Sequence, residues 1–453
     1  MAVTEALLLV GGAVASLLVL ILVLRLHALL ALLLTSFAVA VIGGVPLLDV
    51  ASTVQQAMGG ILGYIALVIG LGAIFGEMLE RSGGAHSLAT SLLERAGEKR
   101  APTAFAATGL LVAIPVFFDV GFIVLLPLLH LTARKSGRSV LDYALPLLAG
   151  LAVAHAFIPP TPGPVAVAGL LGAELGWVIG LGLLVGLPAL FVAGLVYGPW
   201  ISSRLGDISP EDIALEESAN AASPEKAAPE KAPGFALSLA LLATPLILIV
   251  FGTAATVWSF GAVGPVLRFL GHPIAALLLT VLLATVLLGR RCGWSPDELE
   301  KIVARALEPV GLILLVTGAG GVLGKVLLAT GAGEVLATAL EQSSLPIFLL
   351  AFLLALSVRI AQGSATVSMV TAAGLAAPLV EGAGLSQPGL ALLTLSIAAG
   401  ATACSHVNDS GFWLVSRYLG LDTRQTLQAW TALTSLIGLT GLAVILVLAT
   451  FLS

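Results

Sequence analysis

The sequence predicts an all-α polytopic membrane protein with two inverted-topology repeats, each with five spanning helices (one of them broken) and a re-entrant hairpin. Three observations predict this architecture: an apolar composition, a repeated set of glycines, and an uneven distribution of basic residues between matching loops. Of the 453 residues, 58% are hydrophobic and only 10% are charged. Because soluble domains carry about a quarter charged residues, this chain has too little polar surface for a water-soluble globule.

Charge and cysteine content exclude further classes of protein. The net charge of -5 offers no basic face, so we expect no nucleic-acid partner. Cys292 and Cys404 are the only cysteines, and one bridge cannot hold a disulfide scaffold of this length together. The sequence has neither a His-Glu-x-x-His zinc motif nor a nucleotide-binding P-loop, and we expect no metal and no cofactor.

Eight apolar runs of about 18 residues or more are long enough to cross a bilayer as helices. They are 6–24, 28–47, 60–80, 177–200, 236–258, 272–289, 309–329 and 428–452. Residues 203–234 are rich in Ala, Pro, Glu and Lys, which predicts a flexible linker. The predicted domains are an N-terminal repeat over 1–202, this linker over 203–234, and a C-terminal repeat over 235–453.

A set of five glycines recurs at a constant shift of 248 residues. Gly63, Gly70, Gly72, Gly76 and Gly83 return as Gly311, Gly318, Gly320, Gly324 and Gly331. Generic helix packing through small residues is the alternative explanation, but it does not require one constant offset. The pattern therefore predicts that the two halves are copies of one another.

Basic residues predict how the copies are oriented. The loop 81–102 carries four Lys or Arg and its counterpart 330–345 carries none, whereas 48–59 carries none and its counterpart 290–308 carries four. Since cytoplasmic loops are enriched in Lys and Arg, matching loops are expected on opposite faces of the membrane. The repeat is therefore predicted to be inverted, with both termini outside and the linker in the cytoplasm.

Four apolar segments contain residues that interrupt a membrane helix. The predicted hairpins are 103–132, broken at 115–121, and 346–381, with its tip at 362–366; the predicted broken crossings are 141–173, interrupted at 159–164, and 389–417, interrupted near 408–411. Irregular backbone at membrane depth is stable only when it is buried in protein or lines a wet cavity. The four breaks therefore predict a central polar site.

The polar residues of the apolar segments gather at these breaks. Half-helices that point their N–H groups and positive dipole ends at the midplane suit a carboxylate, and hydroxyl and amide side chains suit hydroxyl groups. We therefore expect a small hydroxylated carboxylate as the ligand. The predicted substrate-binding residues are Asp119, His155, Thr161, Arg359, Gln362, Ser364, Thr366, Asn408, Asp409 and Ser410. Asp119, Asp409 and His155 are the candidates for proton coupling, since charges at membrane depth usually serve ion or substrate handling.

Each charged candidate also has a purely structural interpretation. Asp119 and Asp409 could cap half-helices, His155 could be a packed, hydrogen-bonded side chain, and Arg359 could pair with a helix C-terminus. Lys325, at the repeat position of Glu77, is expected to extend its charged end to the membrane interface.

Four ordered runs resemble the gluconate permease family of proton symporters, a branch of the ion transporter superfamily. They are FFDVGFIVLLPL (117–128), HAFIPPTPGPVA (155–166), RIAQGSATVSMVTAAG (359–374) and HVNDSGFWLV (406–415). The resemblance implies import of gluconate or a related sugar acid across the inner membrane, driven by protons, and its superfamily implies a homodimer. Two positions depart from the family pattern: Asp119 stands where Glu is common, and Thr161 stands where His is common, which speaks against an imidazole role there.

Two other functions stay open on the residues alone. Buried Asp residues at broken helices serve cation/proton antiport equally well. Asp119 and Asp409 could in principle form the dyad of an intramembrane aspartyl hydrolase, although four polar breaks are more than a dyad needs. We expect a secondary active transporter that works by alternating access, and not an enzyme.

Overall fold

The computed structural model describes residues 3–206, 232–330 and 346–452, and within these ranges the regular secondary structure is helical throughout. The predicted all-α class is confirmed for this part of the chain. Most of the predicted linker 203–234 and of the predicted loop 330–345 lies outside the described residues.

The first half of the chain contains ten α-helices in its described part. They are α1 Val3–Leu18, α2 Ala28–Ile42, α3 Leu47–Arg81, α4 Gly84–Ala96, α5 Ala101–Val112, α6 Phe118–Ser136, α7 Leu141–Phe157, α8 Pro162–Leu171, α9 Leu175–Leu190 and α10 Gly198–Leu205. A π-helical segment, Phe191–Tyr197, joins α9 to α10, and another, Val19–Val23, extends α1.

The second half continues with eleven α-helices in the ranges that the structure describes. They are α11 Phe235–Val257, α12 Gly264–Leu270, α13 Pro273–Cys292, α14 Pro296–Leu307, α15 Val310–Ala329, α16 Ile347–Gln362, α17 Ala365–Ala383, α18 Gln387–Thr402, α19 Ser410–Tyr418, α20 Thr423–Thr426 and α21 Ala432–Leu452. The π-helical segment Leu427–Thr431 joins α20 to α21.

Seven helical stretches in the described ranges are long and apolar enough to cross a membrane. They are Leu47–Arg81, Leu141–Leu171, Leu175–Leu205, Phe235–Val257, Pro273–Cys292, Pro296–Ala329 and Thr423–Leu452. Helices α2, α16 and α17 add shorter apolar stretches. This is the pattern of a multi-pass membrane protein.

Helix starts in the two halves correspond at the shift that the glycines show. Six helices of the first half have counterparts that begin within two residues of a 248-residue shift. Helix α3 corresponds to α14 and α15 together, and α5, α6, α7, α8 and α9 correspond to α16, α17, α18, α19 and α20. The sequence repeat therefore extends to the order and the bounds of the helices, while the opposite orientation of the halves in the membrane stays a prediction.

Three segments that the sequence predicts as loops are largely helical. Residues 48–59 belong to the start of α3, 81–102 contain α4, and 290–308 contain α14. Hydropathy reveals helices that are buried in lipid, whereas a polar helix at the membrane surface contains no apolar run and is therefore not detected. Helix α14 does carry a recognisable start, a capping box in which Ser295 and Glu298 accept from each other's backbone N–H.

The core of the molecule is built around α7 and α18. Nearly all of their side chains are buried, as expected for helices that are apolar on every side. Helix α5 lies directly against α7, where a Cβ on Gly109 would stand 2.3 Å from the carbonyl oxygen of Leu147. Helix α16 contacts α18 in the same manner, since a Cβ on Gly400 would stand 2.2 Å from the carbonyl oxygen of Phe352. Helices α7 and α18 are therefore each held in the core by close contact with a neighbouring helix.

Candidate functional site

Helices are interrupted at four places close to the predicted breaks. The gaps are 113–117 between α5 and α6, 158–161 between α7 and α8, 363–364 between α16 and α17, and 403–409 between α18 and α19. One difference concerns Asp119, which the sequence puts within a break and the structure puts in the first turn of α6. Each interruption starts a new half-helix, and the N-termini of three of them, α6, α17 and α19, line one cavity.

This central cavity has a volume of about 770 Å³, within the range of about 300–1,000 Å³ that is usual for small-molecule sites. Nine of the ten predicted site residues line it: Asp119, His155, Arg359, Gln362, Ser364, Thr366, Asn408, Asp409 and Ser410. Residues far apart in the sequence are thus brought to one wall, although their roles as ligands stay predictions.

Thr161 is the predicted site residue that does not reach the central cavity. Its side chain is buried, and its hydroxyl donates to the carbonyl oxygen of Ile158 at 2.8 Å. It lines instead a small void of about 10 Å³ beside His155, which is room for about one water molecule. The structure therefore places Thr161 in the turn that leads into α8.

The half-helix N-termini direct partial positive charge at the central cavity. Asp409 caps α19 by accepting from the N–H of Gly411 at 3.1 Å, and the Ser364 hydroxyl accepts from Val367 N–H at 3.5 Å at the start of α17. Helix α6 has no side-chain cap. Its first N–H groups are therefore available to a bound anion.

A buried ion pair joins the C-terminal turn of α16 to the N-cap of α19. Arg359, 3% exposed, donates from Nη2 to Oδ2 of Asp409 at 2.5 Å and from Nη1 to the carbonyl oxygen of Gly363. Asp409 also accepts from the hydroxyl of Ser405. The Asp409 carboxylate thus has three donors, from Arg359, Ser405 and Gly411.

Asp119 has a different environment from Asp409. It is exposed to the central cavity, and its carboxylate makes no hydrogen bond or ion pair with the residues that the structure describes. His155 lines the same cavity as Asp119, Arg359 and Asp409. Of the two Asp residues, Asp119 is therefore the one whose carboxylate is held by no described hydrogen bond or ion pair.

Four buried polar atoms on the cavity wall have no hydrogen-bond partner in the described part of the chain. They are Nδ1 of His155, Oγ1 of Thr317, Nε of Arg359 and Oε1 of Gln362. Buried polar groups in native proteins nearly always have a partner. Four such atoms on one wall mark the position of a polar ligand or of water.

Sequence reasoning missed several residues of the cavity wall, among them Thr317 and Trp430. Thr317 stands directly before the repeated Gly318, and a polar residue beside a glycine of the repeat is the signal that could have revealed it. The indole N–H of Trp430 donates to the Ser405 hydroxyl at 2.6 Å, and its ring centroid lies 5.2 Å from that of Phe118. A Trp near the end of an apolar run resembles an interface anchor, so the sequence held no signal for this role.

In the second half, the break between α16 and α17 also contacts the break between α18 and α19. Gly363 adopts φ +90°, and a Cβ there would stand 2.2 Å from the carbonyl oxygen of Asn408. The Asn408 side chain donates to the carbonyl oxygen of Ile360 at 2.8 Å. The turn between α16 and α17 therefore requires glycine at position 363, both for its backbone conformation and for its close approach to Asn408.

A multi-pass helical protein whose broken helices surround a polar cavity has the architecture of a secondary transporter. The family comparison agrees, since the model described as "GntP family permease" matches residues 5–451. The chain therefore belongs to the GntP permease family, and it is a transporter and not an enzyme. The resemblance to gluconate permeases that the four sequence runs indicate is confirmed.

Curated relatives match the chain over nearly its full length. The low-affinity gluconate transporter of Escherichia coli (strain K12) is 37% identical over 434 residues, covering 95% of each chain. The inner membrane permease YgbN of the same organism is 38% identical, covering 94% of each. The gluconate permease of Bacillus subtilis (strain 168) is 33% identical and covers 98% of this chain and 99% of its own.

Two solved structures share the fold at low sequence identity. MtrF of Neisseria gonorrhoeae, described among a class of antimetabolite efflux pumps, superposes with a TM-score of 0.62 at 17% identity and covers 90% of this chain and 85% of its own. The YdaH transporter of Alcanivorax borkumensis, described as having an unusual topology, gives 0.58 at 18% identity over 87% and 86%. These similarities concern the fold alone.

Proposed function

We propose that the protein is a secondary active transporter that imports gluconate or a related sugar acid across the inner membrane, driven by protons. The names of its relatives, gluconate transporters and permeases and one inner membrane permease, support this substrate and this location. The observation that carries the proposal is the wall of the central cavity, where Arg359 and three other buried polar groups have unused hydrogen-bonding capacity.

Recognition of the carboxylate would depend on Arg359 and on helix N-termini. The guanidinium already uses two of its nitrogens, and Nε remains unpartnered beside the cavity. A guanidinium and free backbone N–H groups at the start of α6 are both good donors to a carboxylate. The substrate's acid group therefore belongs between Arg359 and Asp119, at the tips of the two hairpins.

Recognition of the hydroxyl groups would depend on neutral polar side chains. Gln362 and Thr317 have unpartnered oxygens at the wall, and these accept from or donate to a polyol chain. The remaining candidates are Ser364, Thr366, Asn408 and Ser410. A site of this kind discriminates against carboxylates without hydroxyl groups, because those ligands leave buried polar atoms unpaired.

Coupling to protons follows from the charge balance of the cavity. Arg359 and Asp409 neutralise each other, which leaves the carboxylate of Asp119 as the uncompensated charge among the cavity's acidic and basic side chains described. Two like charges about 4 Å apart repel by about 4 kcal/mol at an effective dielectric constant of about 20. An anionic substrate therefore binds best when Asp119 is protonated, so that anion and proton enter together.

The three candidates for proton coupling have different parts in this proposal. Asp119 carries the proton, and His155 is a neighbour that exchanges it, since its Nδ1 is unpartnered and Asp119 acts on it electrostatically. Asp409 holds Arg359 in position through their ion pair, and protonation of Asp409 would break that pair.

Transport would proceed by alternating access between two inverted repeats, with two re-entrant hairpins at the centre, both termini outside and the linker in the cytoplasm. A homodimer is compatible with this mechanism and is not required by it.

The test is uptake of radiolabelled gluconate by proteoliposomes that contain the purified protein. We expect accumulation when the interior is more alkaline than the exterior, and its collapse on addition of a protonophore. A sodium requirement at constant pH would contradict proton coupling. Proton movement on addition of inorganic cations, without any organic substrate, would support the cation/proton antiporter instead.

A further inference from the structure

A second cavity, of about 750 Å³, lies between the two halves of the chain. It is lined by α3 and α8 from the first half and by α15 and α17 from the second half. Its polar lining residues include Thr53, Gln56, Tyr64 and Lys325. None of the predicted site residues belongs to its lining.

The second cavity is in series with the central cavity along the same helices. On α15, Val316 and Thr317 line the central cavity and Gly321, Gly324 and Lys325 line the second one. On α17, the lining changes in the same direction, from Val370 at the central cavity to Gly374 at the second. With a rise of 1.5 Å per residue, Thr317 and Lys325 are about 12 Å apart along the helix. The two cavities are therefore stacked along one path.

A thin apolar layer separates the two cavities. Helices α15 and α17 make backbone contact there, since a Cβ on Gly374 would stand 2.2 Å from the carbonyl oxygen of Gly320. A Cβ on Gly320 would stand 2.4 Å from a methyl group of Val370, and a Cβ on Gly321 would stand 2.1 Å from a methyl group of Ile61. These close approaches fill the crossing, so the path is closed between the two cavities.

Lys325 is the one charged side chain among the residues that line the second cavity in the described part of the chain. It is exposed, and no ion pair or hydrogen bond of its ammonium is found with the described residues. The sequence predicts that the charged end of Lys325 reaches the membrane interface. The structure instead places Lys325 on the wall of the second cavity. A cavity with one cation and with nearby hydroxyl and amide groups attracts an anion that carries hydroxyl groups.

We propose that the second cavity is the entry site at the outer face, where Lys325 binds the carboxylate of the sugar acid before the path to the central cavity opens. This inference rests on the proposed function for the identity of the anion. The face follows from the predicted topology, because α15 begins after the basic segment 290–308, so that its C-terminal half points outward. Tyr64 and Gln56, about two turns apart on α3, bind hydroxyl groups of the same molecule.

Transport kinetics measured from each face test this assignment. The variants are Lys325→Gln, Lys325→Arg, and the matched control Lys99→Gln, which removes the same charge from an exposed position before α5. We expect Lys325→Gln to raise the half-saturating gluconate concentration about tenfold in right-side-out vesicles, the loss of one charge-assisted hydrogen bond. The maximal rate and the half-saturation in inside-out vesicles stay unchanged, and Lys325→Arg and Lys99→Gln behave like the wild type. Equal changes from both faces, or none, would overturn the entry site even when the wild type transports gluconate normally.

Amine labelling provides a measurement that does not depend on transport. A membrane-impermeant sulfonated succinimidyl ester is added to right-side-out vesicles, and acylation of Lys325 is quantified by mass spectrometry with and without gluconate. We expect Lys325 to react from outside and gluconate to slow the reaction, while Lys99 reacts in inside-out vesicles only. Absence of labelling from outside, or labelling that gluconate does not slow, would refute the site. If the wild type transports no sugar acid but gluconate still protects Lys325, the proposed function fails and the anion site stands.

Discussion

Arg359 and Asp409, 50 residues apart in the chain, form a buried ion pair that joins the last turn of α16 to the N-cap of α19. Neither Arg359 nor Asp409 could stay buried as a charged side chain without the other. Because the guanidinium is oriented by Asp409 and by the Gly363 carbonyl, its Nε–H is fixed at the wall of the central cavity. The pair is therefore a support for substrate recognition as well as a structural bond.

Asp409→Asn leaves the Arg359 guanidinium buried without a counter-charge. We expect a loss of about 3 to 5 kcal/mol of stability, seen as a lower temperature of thermal unfolding in detergent. The double variant Arg359→Gln/Asp409→Asn is expected to recover part of this loss, because no unpaired charge remains. Asp49→Asn, at an exposed position, is the control and is expected to have no effect. A double variant that loses the full sum of the two single effects would contradict the pairing.

Asp119→Asn is expected to separate binding from proton coupling. The Asp119 carboxylate makes no hydrogen bond or ion pair with the described residues, so the variant is expected to fold with unchanged stability. It exchanges gluconate across the membrane in counterflow but no longer accumulates it in response to a pH gradient. Counterflow and gradient-driven uptake are measured on the same proteoliposomes, with Glu300→Gln, an exposed acid on α14, as the control. Normal accumulation by Asp119→Asn would remove Asp119 as the proton carrier.

Thr317→Val replaces an unpartnered buried hydroxyl by a methyl group of similar size. If this hydroxyl bonds to the substrate, the half-saturating gluconate concentration rises by about twofold to tenfold, the value of one hydrogen bond of about 0.5–1.5 kcal/mol. The protein's stability does not fall, since nothing in the described structure bonds to Thr317 Oγ1. Thr108→Val on α5 is a matched control, because it is equally buried and unpartnered but lies outside the cavity lining. An equal effect of both substitutions on transport would argue against a substrate contact.

Trp430 is expected to report binding by its fluorescence. Its indole lies on the wall of the central cavity and stacks against Phe118 at the start of α6. Addition of gluconate should change the intrinsic emission of the wild type, and Trp430→Phe should abolish that change although five other tryptophans remain. Trp430→Phe also loses the hydrogen bond to Ser405, at a cost of about 1 kcal/mol. A change of emission that survives in Trp430→Phe would place the response elsewhere.

Gly363→Ala tests the contact between the hairpin tip and the crossing break. An alanine at φ +90°, with its Cβ 2.2 Å from the Asn408 carbonyl oxygen, would force the two elements apart. We expect a loss of about 2 to 4 kcal/mol, the combined cost of backbone strain and overpacking, together with loss of transport. Gly180→Ala is the control, because a Cβ at Gly180 in α9 meets nothing within 4 Å, and there the substitution should be neutral or slightly stabilising. Equal stability of Gly363→Ala and the wild type would refute the close approach.

Much of the fold and most of the polar residues on the cavity wall are predictable from the sequence because both depend on strong local signals. Prolines, glycines and polar residues inside apolar runs are costly in lipid, so Asp119, Arg359 and Asp409 are conspicuous in the sequence itself. The amphipathic helices α4 and α14 escape prediction because they lie in segments without an apolar run. Trp430 acquires its significance from the helices packed against it, which no local pattern reveals. Thr161 lies off the central cavity because its hydroxyl is taken up by the turn before α8, which the sequence does not reveal; its role as a ligand stays a prediction.

The thin layer at Gly320 and Gly374 has an electrical consequence. Thr317 lines one cavity and Gly321 the other, only four residues further along α15. Water in the two cavities carries the potential of each bulk solution close to this layer, so the membrane voltage falls across roughly 6 Å instead of the full hydrocarbon thickness of about 30 Å. An elementary charge that crosses this short distance experiences nearly the whole voltage, worth about 2.3 kcal/mol per 100 mV. A net charge carried through the closed crossing would therefore make turnover steeply voltage-sensitive, whereas a neutral pair of sugar acid and proton would pass the same layer without responding to the field.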